Sequence, residues 1–131
     1  MKKIVSLFLL AFLASSLSYA YEEPLSRGKC FIVKNNVPQK IQKCFISAVG
    51  GAGGIMRTYE IGNDEYAHEI YAESAVSKGV DRITKNKSKK AIDAIYYGRQ
   101  NKSLKVINTA KKNDWNCLKD TKSISDFCFR Y

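Results

Sequence analysis

The run Lys40-Ile-Gln-Lys-Cys-Phe-Ile-Ser-Ala-Val49, Gly50-Gly-Ala-Gly-Gly54, Ile55-Met-Arg-Thr-Tyr-Glu-Ile61 decides the fold class. Half of the chain's eight glycines fall in its five central positions, between two arms rich in β-branched and aromatic residues. Glycine accepts backbone angles that a Cβ forbids, so such a cluster lets an extended chain reverse or bulge. The run therefore predicts a β-hairpin pivoting on its glycines. Phosphate-binding loops also cluster glycines, but they open a helix and, in the Walker form, end in Gly-Lys-Ser/Thr. Here Gly53-Gly54 leads into Ile55-Met56, which fits a hairpin and not a phosphate cradle.

Working outward, Cys30-Phe-Ile-Val33 is a short apolar run, followed by the turn chemistry of Lys34-Asn-Asn-Val-Pro-Gln39. It pairs with the 40–49 arm as a second hairpin, and Tyr21–Gly28 before it looks like an extended lead-in. On the other side, Gly62-Asn63 is a tight reversal that can start a fourth strand over Glu65–Ala72. Tyr66, His68, Ile70 and Ala72 alternate there with Glu65, Ala67, Glu69 and Tyr71. The same stretch can be written as a helix capped by Asn63, with Asp64 and Glu65 at its positive end and Lys78-Gly79 at its close. Ala91–Tyr97 is open to both descriptions as well. Trp115–Leu118 and Ile124–Tyr131 form a terminal hairpin around the turn at 119–123. The fold class expected is mainly β, an antiparallel meander forming a small sandwich or half-barrel; the alternative is α+β with short helices near 64–78 and 88–97.

The N-terminus indicates a destination. Met1-Lys-Lys3, the apolar run to Ala14 and the small residues Ser18 and Ala20 have the form of a cleavable signal peptide over residues 1–20. A membrane-spanning helix needs roughly 20 apolar residues, more than this run supplies. Residues 21–131 are then one exported domain, periplasmic or extracellular. Removing 1–20 takes away Lys2 and Lys3 and no acid, leaving 20 basic and 12 acidic side chains, a net charge of +8.

Four cysteines in an exported chain imply two disulfides. Cys30 and Cys44 flank the turn near Val37-Pro38, and Cys117 and Cys128 flank Lys122-Ser123, five residues on each side. Antiparallel pairing brings each couple together, which predicts the bonds Cys30–Cys44 and Cys117–Cys128. Each closed loop stabilises by about 3 kcal/mol in the chain-entropy model. Zinc ligation is disfavoured because no Cys-x-x-Cys spacing occurs and a single histidine is present. No metal or cofactor is expected.

His68 is the one imidazole, so any His-dependent hydrolase or nuclease mechanism must run through it, with Glu65, Glu69, Arg57 and Arg99 as the available partners. No spacing singles them out, and as a strand the segment points Glu69 away from His68. A half-buried structural histidine is the simpler description, and no catalytic residue is assigned. The densest basic cluster is Arg82, Lys85, Lys87, Lys89 and Lys90, which would attract an anionic partner. Arg57 with Tyr59 and Tyr97 with Arg99 have the composition of a protein-binding hot spot.

Size, signal peptide and cysteine hairpins together resemble the small disulfide-stapled β-proteins exported to the periplasm of Gram-negative bacteria, among them lysozyme inhibitors and immunity proteins. No family motif is matched, so no residue role follows from the resemblance. It implies a non-enzymatic inhibitor or immunity protein acting on a protein partner. Since lysozymes are typically basic, the surplus of +8 points to a different partner, one with an acidic surface. The expectations that stand beside it are a hydrolase or nuclease using His68 and an envelope or adhesion factor binding anionic glycan or lipid.

Overall fold

Alternation is plain in the 42–51 segment, where Cys44, Ile46 and Ala48 are buried between more exposed neighbours. In the computed structural model, which describes residues 21–51, 53–71 and 81–131, no described residue is helical. The strands are β1 (Tyr21–Lys34), β2 (Val37–Pro38), β3 (Gln42–Gly51), β4 (Gly54–Ile61), β5 (Asp64–Tyr71), β6 (Arg82–Lys85), β7 (Ile92–Arg99), β8 (Val106–Ile107), β9 (Trp115–Asp120) and β10 (Asp126–Arg130). All pairings are antiparallel, in the order β10-β9-β7-β6-β5-β4-β3-β1, and β1 also pairs with β10. The meander is thus a closed barrel of eight strands, with β2 and β8 as short additions to β1 and β7.

The helical alternatives fail for a local reason. Asp64–Tyr71 pairs residue for residue with Gly54–Ile61, and this register sets Tyr66 beside Tyr59 and His68 beside Arg57 on the inner face. A helix would scatter these side chains around its axis. Ile92–Arg99 is likewise a strand, held between β6 and β9. Residues 1–20, read above as a signal peptide, and 72–78 of the first helical alternative lie outside the described residues. Among the described residues no helix is long and apolar enough to cross a membrane.

Tyr21–Gly28 is not a lead-in. It pairs with β3 from Tyr21↔Gly50 to Gly28↔Cys44, broken by a bulge between Glu23 and Ser26. Beyond it, Lys29 and Cys30 are paired on both sides at once, with Lys43 and Gln42 of β3 and with Arg130 and Phe129 of β10. That double pairing closes the barrel. Gly28 sits at the closure because a Cβ there would lie 2.7 Å from the carbonyl oxygen of Arg130 and 3.2 Å from Ile46 Cδ1.

Both predicted disulfides are formed, Cys30–Cys44 with Cα atoms 5.8 Å apart and Cys117–Cys128 with Cα atoms 4.0 Å apart. The second joins directly opposed residues. The first is diagonal, since Cys44 faces Gly28 and Cys30 faces Gln42. The reversal comes earlier than Val37-Pro38, at Asn35 and Asn36, both with positive φ, and the extra residues through β2 offset the register. The two bonds fit an oxidising compartment.

Eight strands enclose a lumen just wide enough for side chains to fill. Tyr66 stacks on Phe127 at 4.5 Å, and Tyr59 meets Phe127 and Phe129 at 4.9 and 4.7 Å, with Ile46, Ile61, Ile83, Leu118 and the Cys30–Cys44 bond around them. A second core lies on the outer face of β1, β9 and β10. There Phe31, Val33, Trp115, Cys117 and Cys128 are buried, flanked by Tyr97 and by Leu104 from the 100–114 connection. Successive residues of β1 therefore serve the two cores alternately, Cys30 inward and Phe31 outward.

Replacing Gly28 with Ala should lower stability by about 1–3 kcal/mol, because the obstructing atom is backbone and cannot rotate away. Gly53→Ala, which meets nothing within 4 Å, should be nearly neutral. Denaturant unfolding of both variants checks this pair; equal midpoints would mean that the closure at Gly28 is not tight.

Candidate functional site

At one end of the barrel lie the β3–β4 glycine turn, the end of β5 and the 100–114 connection. At the other lie the β4–β5 turn at Gly62-Asn63 and the β6–β7 turn, tied by Asn86, whose backbone N–H donates to the Glu65 carbonyl and whose side chain donates to Asp64 Oδ1. Alternation along β4, β5 and β7 places Arg57, Tyr59, His68 and Tyr96 on the inner face, Tyr96 nearest the first end.

His68 is 1% exposed, and its Nε2 lies 3.2 Å from Asp81 Oδ2 and 2.9 Å from the Tyr96 hydroxyl oxygen. The Tyr96 hydroxyl also donates to Asp81 Oδ2. An ionised carboxylate only accepts, so the network assigns the imidazole proton to Nε2, which donates toward Asp81 and leaves Nδ1 as an acceptor. Nδ1 is buried and finds no hydrogen-bond partner among the described residues. The Tyr96 ring meets the imidazole edge-on at 5.4 Å, yet Tyr96 as a whole is 57% exposed. It is a large aromatic held from beneath and presented to solvent.

The electrostatics follow from this shelter. Burial pushes the His68 pKa below its ordinary 6.5, against the pull of Asp81 and with help from the Arg57 charge, so the imidazole is neutral at physiological pH. Shelter of the hydroxyl, then Asp81, holds the Tyr96 phenol above its ordinary value. Burial raises Tyr59 in the same way, opposed by Arg57.

Two clefts flank this end and meet at Asn116. One, of about 360 Å³, lies between Tyr96, Phe129 and the segment Asn108-Thr109-Ala110. The other, of about 420 Å³, lies between the 100–114 connection, Arg130 and Tyr131. Among the described residues no three His, Cys, Asp or Glu side chains converge where a metal could sit.

The structure disperses the residues named from the sequence. Tyr59 is fully buried in the lumen, where Tyr66 and the Phe127–Phe129 pair need its ring, so it presents no contact surface; Arg57 is half-buried beside it. Arg82 is exposed on the outer wall, 3.8 Å from Asp93. Lys85 reaches over the Tyr66 ring, and Lys87, Lys89 and Lys90 are exposed around the far turn. Tyr97 and Arg99 belong to the second core: Tyr97 donates to Asp126, and Arg99, 4% exposed, donates to the Leu104 carbonyl and to Asn36 Oδ1. Burial raises Tyr97, reinforced by Asp126, while burial also raises Asp126 against the Tyr97 hydrogen bond. The basic cluster of 82–90 and the aromatic pairs thus do not form one surface. Tyr96, Asp81 and Tyr131 escaped sequence reasoning. Alternation along Ile92–Arg99 could have set Tyr96 on the lumen side, but it is the pairing of β5 with β6 and of β6 with β7 that brings it to His68, 28 residues away.

No protein-family model, no curated protein and no solved structure matches this chain.

A histidine whose folded pKa lies below 6.5 binds fewer protons than the unfolded chain, so its contribution to stability is complete above pH 6.5 and is lost as pH falls below it. Unfolding free energy should therefore decline between pH 7.5 and 5.5, and His68→Gln should flatten that slope while lowering stability at pH 7.5. A variant as pH-dependent as the parent would show that His68 is not the group responsible.

Proposed function

We propose that this chain is a non-enzymatic exported binding protein that engages a protein partner through the His68–Tyr96 end of its barrel, as an inhibitor or immunity protein does. The observation that carries this is Tyr96, a ring 57% exposed whose hydroxyl is fastened by Asp81 and His68. Tyrosine anchors of binding interfaces have this character, since a side chain already held in one rotamer loses little freedom on docking. The filled lumen supports the same view, because its aromatic rings occupy the space that a barrel would otherwise offer a small ligand. So does the shelter of His68, which is 1% exposed and has its Nε2 engaged by Asp81 and Tyr96. The +8 charge of residues 21–131 favours a partner with an acidic surface, and association should slow as salt rises.

The test is capture from an exported-protein fraction, and from the product of the adjacent gene, with the parent protein and Tyr96→Ala side by side. The parent should retain one acidic protein, and loss of the anchor should weaken that complex by about 30-fold, the scale of a hot-spot residue. No retained protein, or equal retention by the variant, would sink the proposal.

A further inference from the structure

Beside that end of the barrel, a polar cleft of about 420 Å³ is lined by Asn101, Lys112, Asn113, Asn116, Arg130 and Tyr131. Its central group is preorganised. The Arg130 guanidinium lies 3.9 Å from the centre of the Trp115 ring, which is fully buried, and its Nη1 donates to Asn101 Oδ1 at 2.6 Å. Trp115 Nε1 donates in turn to the Asn101 carbonyl at 3.3 Å. Asp114 also lines the cleft, but its two carboxylate oxygens accept from the backbone N–H groups of Asn101 and Lys111. No carboxylate among the described residues pairs with Arg130 or Lys112. Over residues 100–131 the other acids are similarly occupied. Asp120 accepts from the N–H groups of Lys122, Ile124 and Ser125, and Asp126 accepts from Tyr97. The cleft thus holds two cationic side chains, neither ion-paired among the described residues, against the one acidic side chain of Asp114, whereas Arg82 has Asp93 beside it.

We propose that this cleft binds an acidic saccharide, a sugar carrying a carboxylate. Arg130 and Lys112 meet the carboxylate, the guanidinium through its planar fork. The amides of Asn113 and Asn116 each offer both donors and an acceptor, and Asn101, whose Oδ1 is held by Arg130, offers its NH2, which matches the dual character of sugar hydroxyls. Tyr131, 68% exposed, supplies an aromatic face for the apolar side of the ring. A bare phosphate would use the two cations alone and leave the amides and the ring without a role. This site goes beyond the protein partner proposed above and does not depend on it.

The experiment is calorimetric and NMR titration of the disulfide-bonded protein with a galacturonic acid trisaccharide, with maltotriose as neutral control and inorganic phosphate as simple anion, at about 50 mM salt, where charge contacts are only partly screened. The acidic trisaccharide should bind and shift the side-chain amide signals of Asn101, Asn113 and Asn116, with the other two ligands at least about tenfold weaker. Lys112→Ala with Asn113→Ala, both exposed positions, should cost about tenfold or more without altering the melting temperature. Lys87→Ala with Lys89→Ala removes two charges at the far turn and should leave the affinity within about twofold. Equal loss in both double variants would reduce the effect to general charge attraction and overturn the site. So would phosphate binding as tightly as the trisaccharide, or no binding of the trisaccharide at all.

Discussion

Everything in this molecule depends on one strand being shared. Lys29 and Cys30 are the positions at which β1 is hydrogen-bonded to β3 on one edge and to β10 on the other, and without that overlap the eight strands would be an open sheet with two free edges. Closure forces the backbone of β10 against β1 so closely that the inward position beside the junction cannot carry a side chain. Gly28 meets that demand. The diagonal Cys30–Cys44 bond then ties the closing strand to its neighbour from inside the lumen.

From closure follows the unusual distribution of apolar residues. A barrel wall usually turns polar residues outward, yet Phe31, Val33, Trp115, Cys117 and Cys128 face outward and are buried. The 100–114 connection covers them, pinned by Arg99 to Leu104 and Asn36, and by Arg130 between Trp115 and Asn101. Cations that read as surface chemistry are here struts. Arg130 also lines the polar cleft beside this core, so one side chain braces the connection and faces the cleft.

The polar group inside the other wall shows a related economy. His68, Asp81 and Tyr96 satisfy one another around a single carboxylate, which makes a histidine in the lumen tolerable while leaving Nδ1 without a partner among the described residues. The same hydrogen bonds fix the hydroxyl of Tyr96, whose ring reaches solvent beside it.

Much of this was legible locally. The β-branched and aromatic runs in 40–49 and 55–61 with glycines between them specify a hairpin whatever surrounds it, because the glycines supply the reversal locally. Both disulfides could be deduced from symmetry about turns, since hairpin register is a local property; the diagonal offset of Cys30–Cys44 arose only because Asn35-Asn36 turned the chain earlier than Pro38. Barrel closure was not legible. It joins residues about a hundred apart in sequence, such as Lys29 and Arg130, and nothing within either strand records the contact beyond a glycine that looked like part of a lead-in. For the same reason composition alone grouped Arg57 with Tyr59 and Tyr97 with Arg99 as surface pairs, whereas the twist and shear of the closed sheet buried Tyr59 in one core and Arg99 against another. Local sequence determined the glycine hairpin, the terminal hairpin and the two covalent ties. Which face of each strand met protein and which met water was decided by the tertiary structure, because burial depends on what packs opposite a residue and not on the residue itself.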